Sequence, residues 1–211
     1  MIEYIKAQKA ADEAIINNVF TEDELHRFSK ADSRWITNKG KEYRTEKIKK
    51  GQIYQFEFGK NFAPEMSYEH IGLIIGVKNK LLYVLPIFSY NPEKYKDIYH
   101  PTDFPDSKSD VYLLKKSEFN WIKRDSVLKL NDIRTVSVNR ILYRHEGSIN
   151  PASEIYKGIE VLVLKKYFAE FYYEFENNKK DLELLKEANI KLEEEIKACK
   201  LKIFSLESDK K

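Results

Sequence analysis

Hydrophobic and polar positions alternate with period two through the middle of the chain and with helical period at both ends. In Ile53-Tyr54-Gln55-Phe56-Glu57-Phe58 the set Ile53/Gln55/Glu57 and the set Tyr54/Phe56/Phe58 fall on opposite faces of a strand. Gly59 closes it. A loop from Lys60 to His70 carries Asn61, Pro64 and Ser67, residues that favour irregular backbone, and leads into the apolar run Ile71–Val77, which reads as a buried central strand. Asn79-Lys80 then turns the chain into Leu81–Ile87, whose polar continuation is Ser89 and Tyr90. These segments predict an antiparallel meander with Glu65 and His70 on one loop and Ser89 at a neighbouring strand end.

Before the meander, Ala7, Ala11, Ile15 and Val19 recur at four-residue steps and predict an amphipathic helix over residues 2–19. Thr21-Glu22-Asp23-Glu24 has the form of a capping box, which starts a second helix from about Glu22 to Thr37 with Leu25, Phe28 and Trp35 as its buried face. We expect this pair to pack on the β unit. After the meander, Asn91–Asp110 holds three prolines and many polar residues and predicts a long loop at the mouth of the sheet. Strands are expected at Val111–Leu114, Ser126–Leu130 and Ile133–Ser137, with Arg140-Ile141 completing the β material. Asn150-Pro151 predicts a helix start, with no strong breaker except Gly158 from there to the end.

The last segment repeats every seven residues. Leu182, Asn189, Ile196 and Ile203 occupy a positions of a coiled coil, and Leu185, Leu192, Cys199 and Leu206 occupy d positions. In a parallel pair Asp181 would face Lys186, Glu195 would face Lys200 and Lys202 would face Glu207, all of opposite sign. A parallel homodimer is therefore the expectation, with a single helix folded back on its own domain as the alternative.

Composition narrows the class. The 211 residues suit one domain with added helices, or two small units, and the net charge of +3 is only a weak pointer to a polyanion. Its distribution says more: Lys39, Lys41, Arg44, Lys47, Lys49, Lys50 and Lys60 outnumber Glu42, Glu46 and Glu57 beside the loop. One cysteine, Cys199, excludes an intrachain disulfide and a multi-cysteine metal site, and His26, His100 and His145 show no metal-ligand spacing. No metal or cofactor is expected. No apolar run reaches membrane length and no leader-like segment opens the chain, so the expectation is a cytoplasmic protein with no membrane partner.

Among candidate groups, His70 titrates near neutral pH and suits proton transfer, or else closes a loop as a half-buried polar residue. Glu65 is placed to charge or position it, or to pair with a lysine. Tyr54, Tyr68 and Tyr90 offer faces for bases or fill the core.

Three stretches carry a resemblance to a known family. They are Lys50-Gly51-Gln52-Ile53-Tyr54 through Gly59 with Glu65 and the strand from Gly72; Val84-Leu85-Pro86-Ile87; and Arg124-Asp125-Ser126-Val127 with Leu130-Asn131-Asp132-Ile133-Arg134-Thr135-Val136 and Arg140-Ile141. Together they span roughly residues 48–170 and resemble the MazF/PemK toxin endoribonucleases. The resemblance implies an SH3-like, partly open β barrel; the N-terminal helical pair before it and the long C-terminal helix or coiled coil after it lie outside the resemblance as extensions, so the expected fold class is α+β. The expected organisation is 1–47 helical extension, 48–150 barrel, 151–175 C-terminal helix of the domain and 176–211 coiled coil.

The resemblance further implies metal-independent cleavage of single-stranded RNA through the RNA's own 2′-hydroxyl, restraint by an antitoxin protein, and dimerisation of the barrel; together with the heptad pattern this makes a homodimer through barrel and coil the expectation. Catalytic candidates are then His70, Glu65 and Ser89, and RNA-binding candidates are Lys49, Lys50, Lys60, Tyr68, Arg134 and Thr135. Two positions depart from the family. Its loop ends in Arg-Pro where this chain has His70-Ile71, and its catalytic Thr falls on Phe88, with Ser89 one residue on. The alternative is accordingly a non-catalytic member that binds RNA or protein through the same barrel, and a plainer one is a coiled-coil scaffold with a structural head.

Overall fold

The computed structural model describes residues 1–17, 20–41 and 47–208, with side chains to residue 202. Val19, Glu42, Arg44 and Glu46, and the side chains of Ile203, Leu206 and Glu207, lie outside that description. The fold is α+β, with one open antiparallel sheet and four helices: α1 (Ile2–Asn17), α2 (Glu22–Asn38), α3 (Glu154–Tyr167) and α4 (Ala169–Ser208). The strands are β1 (Gln52–Glu57), β2 (Glu69–Lys78), β3 (Leu81–Ser89), β4 (Val111–Leu114), β5 (Ser126–Lys129), β6 (Arg134–Ser137) and β7 (Ile141–Ser148).

Sheet order is β4-β5-β3-β2-β1-β7, with β6 also on β3. The long β3 divides its second edge: Leu81–Val84 pair with β6, and Ile87–Ser89 pair with β5. The core between the strands gathers Tyr54, Phe56, Phe58, Ile74, Leu82, Val84 and Val136, the alternating face expected from the sequence. Tyr156 of α3 is wholly buried, and its hydroxyl donates to the Ile74 carbonyl at 3.3 Å. By contacts the chain divides into two compact units, Met1–Glu160 and Val161–Lys211.

Four expectations need correction. The β material does not end at Ile141; β7 runs to Ser148, and its alternation is hidden by charged residues such as Arg144 and Glu146 on a strand at the sheet edge. Asn150 caps a turn rather than the helix: its Oδ1 accepts from the Ala152 N–H, and Ser153 Oγ accepts from the Tyr156 N–H at the start of α3. The C-terminal helix is interrupted at Phe168, between α3 and α4. At the other end no residue of α1 is buried, so its narrow alanine face does not pack as expected.

Candidate functional site

The capping box forms as its sequence requires. Thr21 Oγ1 accepts from the Glu24 N–H, and Glu24 returns a carboxylate to the Thr21 N–H at 2.8 Å. It fixes where α2 begins, and the contacts of the helix with the strands show which side chains face the sheet. Ala31 is buried and Leu25 and Phe28 are half-buried, whereas Trp35 is 62% exposed, a correction to the expected buried face. Arg34 takes the inward place instead.

The reason lies in the strands beneath. Glu57 of β1 pairs in register with Glu69 of β2, and two carboxylates directly opposite one another repel. Arg34 bridges them, Nη1 to Glu57 at 2.9 Å and Nη2 to Glu69 at 2.7 Å. Glu57 is buried and also accepts from the Gly59 N–H at 3.1 Å. Beside it the buried Gln55 meets His145 of β7 at 3.0 Å. The polar face of β1 is thus satisfied by α2 and β7.

Between α2 and the strands lies a cleft of about 400 Å³. Asp23, His26, Arg27, Lys30 and Arg34 stand on its helical wall; Tyr68, Glu69 and His70 stand on the β2 side, with Gln55 and Glu57 beneath. His70 is a residue of β2 rather than of the expected loop with Glu65: it is half-buried, lies opposite Phe56 in the ladder and packs against the Phe88 ring at 5.4 Å. Burial pushes its imidazole below the ordinary value, and the positive charge of Arg27 adds to that; Glu57 and a backbone hydrogen bond at Ser67 act in the opposite sense. The result favours a neutral ring at neutral pH, able to accept a proton. Arg27 is paired with Asp23 at 2.6 Å, while Lys30 has no carboxylate partner among the described residues.

The other predicted residues are distributed differently. Glu65 is exposed and pairs with Arg134 Nη1 at 3.3 Å; Arg134 Nε meets the buried Asp132 at 2.8 Å. Two predicted residues, Glu65 and Arg134, therefore meet, and Lys129 adds a hydrogen bond to the Pro64 carbonyl at 3.1 Å, so the loop tip is tied to the β5–β6 region. No hydrogen bond among the described residues joins Glu65, His70 and Ser89. Ser89 is the exposed last residue of β3, opposite Ser126. Thr135 is exposed on β6, Lys50 pairs with Glu160 at 3.1 Å, and Lys49 is exposed at the turn before β1. Lys60 pairs with Asp32 at 2.7 Å and lies 3.5 Å over the Phe28 ring, which binds it to α2. Tyr68 lines the His70 cleft, as its candidacy required, with a left-handed backbone at φ 65°.

Sequence reasoning missed the contribution of α2. A signal was present: Asp23, Arg27, Lys30 and Arg34 are spaced by four, three and four residues, which places them on one helix face. Among the described residues no group of three or more His, Cys, Asp or Glu side chains gathers to hold a metal ion. No helix among them is long and apolar enough to cross a membrane. No family model and no curated protein matches the chain.

Proposed function

We propose that this chain is a MazF/PemK-like endoribonuclease that cuts single-stranded RNA, with His70 as its proton carrier. The observation that carries the reading is a half-buried imidazole, depressed toward its neutral form, in a cleft whose helical wall presents His26, Arg27 and Lys30 beside Asp23. A neutral His70 accepts the proton of the RNA 2′-hydroxyl. The freed oxygen attacks the adjacent phosphorus, the bond to the 5′-oxygen breaks, and a 2′,3′-cyclic phosphate remains; the departing oxygen takes a proton from the imidazolium or from water. Arg27 and Lys30 supply positive charge to the crowded phosphate. Glu65, bound to Arg134, holds the loop tip rather than acting on the proton.

The division of the β3 edge between β5 and β6 is what a partly open, SH3-like barrel requires, and it supports that finer description of the sheet. Cytoplasmic action under an antitoxin belongs to the same reading, as does a homodimer. Within α4 the a and d residues Leu182, Leu185, Leu192 and Ile196 are all exposed, and the stripe continues upstream through Phe168, Phe171 and Phe175. An apolar stripe of that length favours a second copy, and Glu174 opposite Lys179 adds one more oppositely charged pair to the parallel arrangement. Mild oxidation of the full chain should cross-link the parallel pair through Cys199, a d position; a dimer that resists cross-linking would be antiparallel or paired elsewhere.

A second reading, a non-catalytic module that binds RNA or protein, is favoured by one observation: Glu65, His70 and Ser89 share no hydrogen bond. Incubation of single-stranded RNA with the protein in chelator, beside His70→Ala, separates the two. Cleavage that disappears in the variant supports the nuclease; RNA bound but left intact by the unaltered protein leaves the binding module.

A further inference from the structure

A second cleft, of about 420 Å³, lies on the other flank of α2, and its chemistry differs from the first. Its walls include Trp35, Asn38 and Lys39 of α2, Lys60 of the loop after β1, and Asn139 and Arg140 before β7. Its carboxylates are engaged: Asp32 with Lys60, and Glu57 with Arg34. Lys39 and Arg140 have no carboxylate partner among the described residues, so the described lining carries more positive than negative charge. Arg140 is held in place by a hydrogen bond from Nη1 to the Glu57 carbonyl at 2.9 Å. It can lie there because Gly59 has no side chain: a Cβ at that position would come within 2.8 Å of Nη1.

Trp35 supplies the second part. It leaves the core to stand 62% exposed, with the Lys39 ammonium 5.1 Å from its ring centre. Asn139 donates from Nδ2 to the Asn38 carbonyl, which leaves its Oδ1 and the Asn38 side chain as amide groups at the rim. An aromatic face, two cations without a carboxylate partner among the described residues and hydrogen-bonding amides in a volume of this size match one kind of ligand, a nucleotide.

We propose that this cleft binds a nucleotide unit of single-stranded RNA, with the base stacked on Trp35 and the phosphate held by Lys39 and Arg140. The RNA source rests on the function proposed above; the nucleotide chemistry rests on the cleft alone. On this assignment α2 carries both Arg27 and Lys30 beside His70 and a flanking subsite, so this helix takes part in choosing which RNA segment is held.

The test uses the full chain and a labelled 2′-O-methyl oligoribonucleotide, which offers no 2′-hydroxyl nucleophile, with a nucleoside monophosphate as a second probe. Affinity is read by anisotropy and stacking by tryptophan fluorescence. Trp35→Ala should weaken RNA binding about tenfold, whereas Trp35→Phe should keep it within about threefold and lose most of the quenching, since Trp121 remains. Lys39→Gln, an exposed change that leaves folding intact, should weaken binding and lower the salt dependence by about one charge. Wild-type affinity in Trp35→Ala overturns the subsite even if His70-dependent cleavage is found. Quenching of Trp35 by the mononucleotide with no RNA bound or cut keeps the subsite and removes the RNA reading. If neither probe quenches Trp35, the subsite falls.

Discussion

His70 and His100 place the same imidazole in opposite surroundings. His100, in the loop after β3, is wholly buried, and both ring nitrogens are engaged: Nε2 meets Glu118 at 3.0 Å and Nδ1 meets the Thr102 hydroxyl at 3.0 Å. Asp103, beside it, is held by Lys115 at 2.7 Å. That network orders a proline-rich stretch that otherwise has little regular structure, and it leaves the ring no route to a ligand. His70 is only half-buried, rests on Phe88 and faces a cleft. A buried polar group with its partners in place holds a fold together, whereas one that is partly desolvated beside open space is free to exchange protons.

Replacing each histidine by alanine should separate the two roles most widely. In His70→Ala the cleavage rate should fall by about 100-fold or more, the scale of general acid–base catalysis, while the thermal midpoint moves little. In His100→Ala the reverse is expected: a loss of about 2–4 kcal/mol from lost hydrogen bonds and an unfilled cavity, with the rate per folded molecule unchanged. Equal effects of both changes on stability and rate would erase the distinction.

Arg34→Ala sharpens the comparison from the side of the cleft. It strands the buried Glu57 opposite Glu69, and the expected cost is about 2–3 kcal/mol, less than for a fully buried pair because Arg34 is about a quarter exposed. Adding Glu57→Gln and Glu69→Gln should recover part of that loss, since the repulsion is then gone. Urea unfolding of the single and triple variants measures it; no recovery would mean that Arg34 acts by packing rather than charge.

The smallest effect concerns pH. Burial lowers the proton affinity of His70, with Arg27 adding to it, and burial alone lowers that of His145. As pH falls below the ordinary imidazole value of 6.5, the unfolded chain therefore binds more protons than the folded one. Stability present above that value should decline as the solution is acidified toward the depressed folded values. The acid limb of cleavage should likewise lie below 6.5. Urea midpoints between about pH 7.5 and about pH 5 should fall less steeply in His70→Gln and His145→Gln; an unchanged slope in both would assign it to carboxylates.

Much of the architecture was legible. The β1–β3 meander, the Val111–Leu114 strand, the capping box and the helical period of the last segment follow from short-range patterning, because a strand or helix with one buried face must repeat its apolar residues at a fixed interval. Elements with weaker patterning were misread. β7 alternates charges on an edge, and Trp35 satisfies a helical period on the wrong side of α2. The site was legible in its parts and not in its partners. His70 and Tyr68 do meet in one cleft, but Glu65 pairs with Arg134, sixty-nine positions away, and Lys60 pairs with α2.

What the sequence determined alone is therefore the set of local elements and the types of chemistry on offer: an imidazole at the end of a loop, a cationic stretch, and one cysteine set in a heptad. Tertiary structure decided which charges neutralise one another and which stay free. Opposing Glu57 and Glu69 is a consequence of strand register, and that opposition requires a cation from outside the strands. Arg34 answers it from α2, and on the same helix Arg27 and Lys30 line the cleft of His70 while Trp35 stands in solvent. Pair energies of this kind depend on distances between residues remote in the chain, which no local pattern encodes.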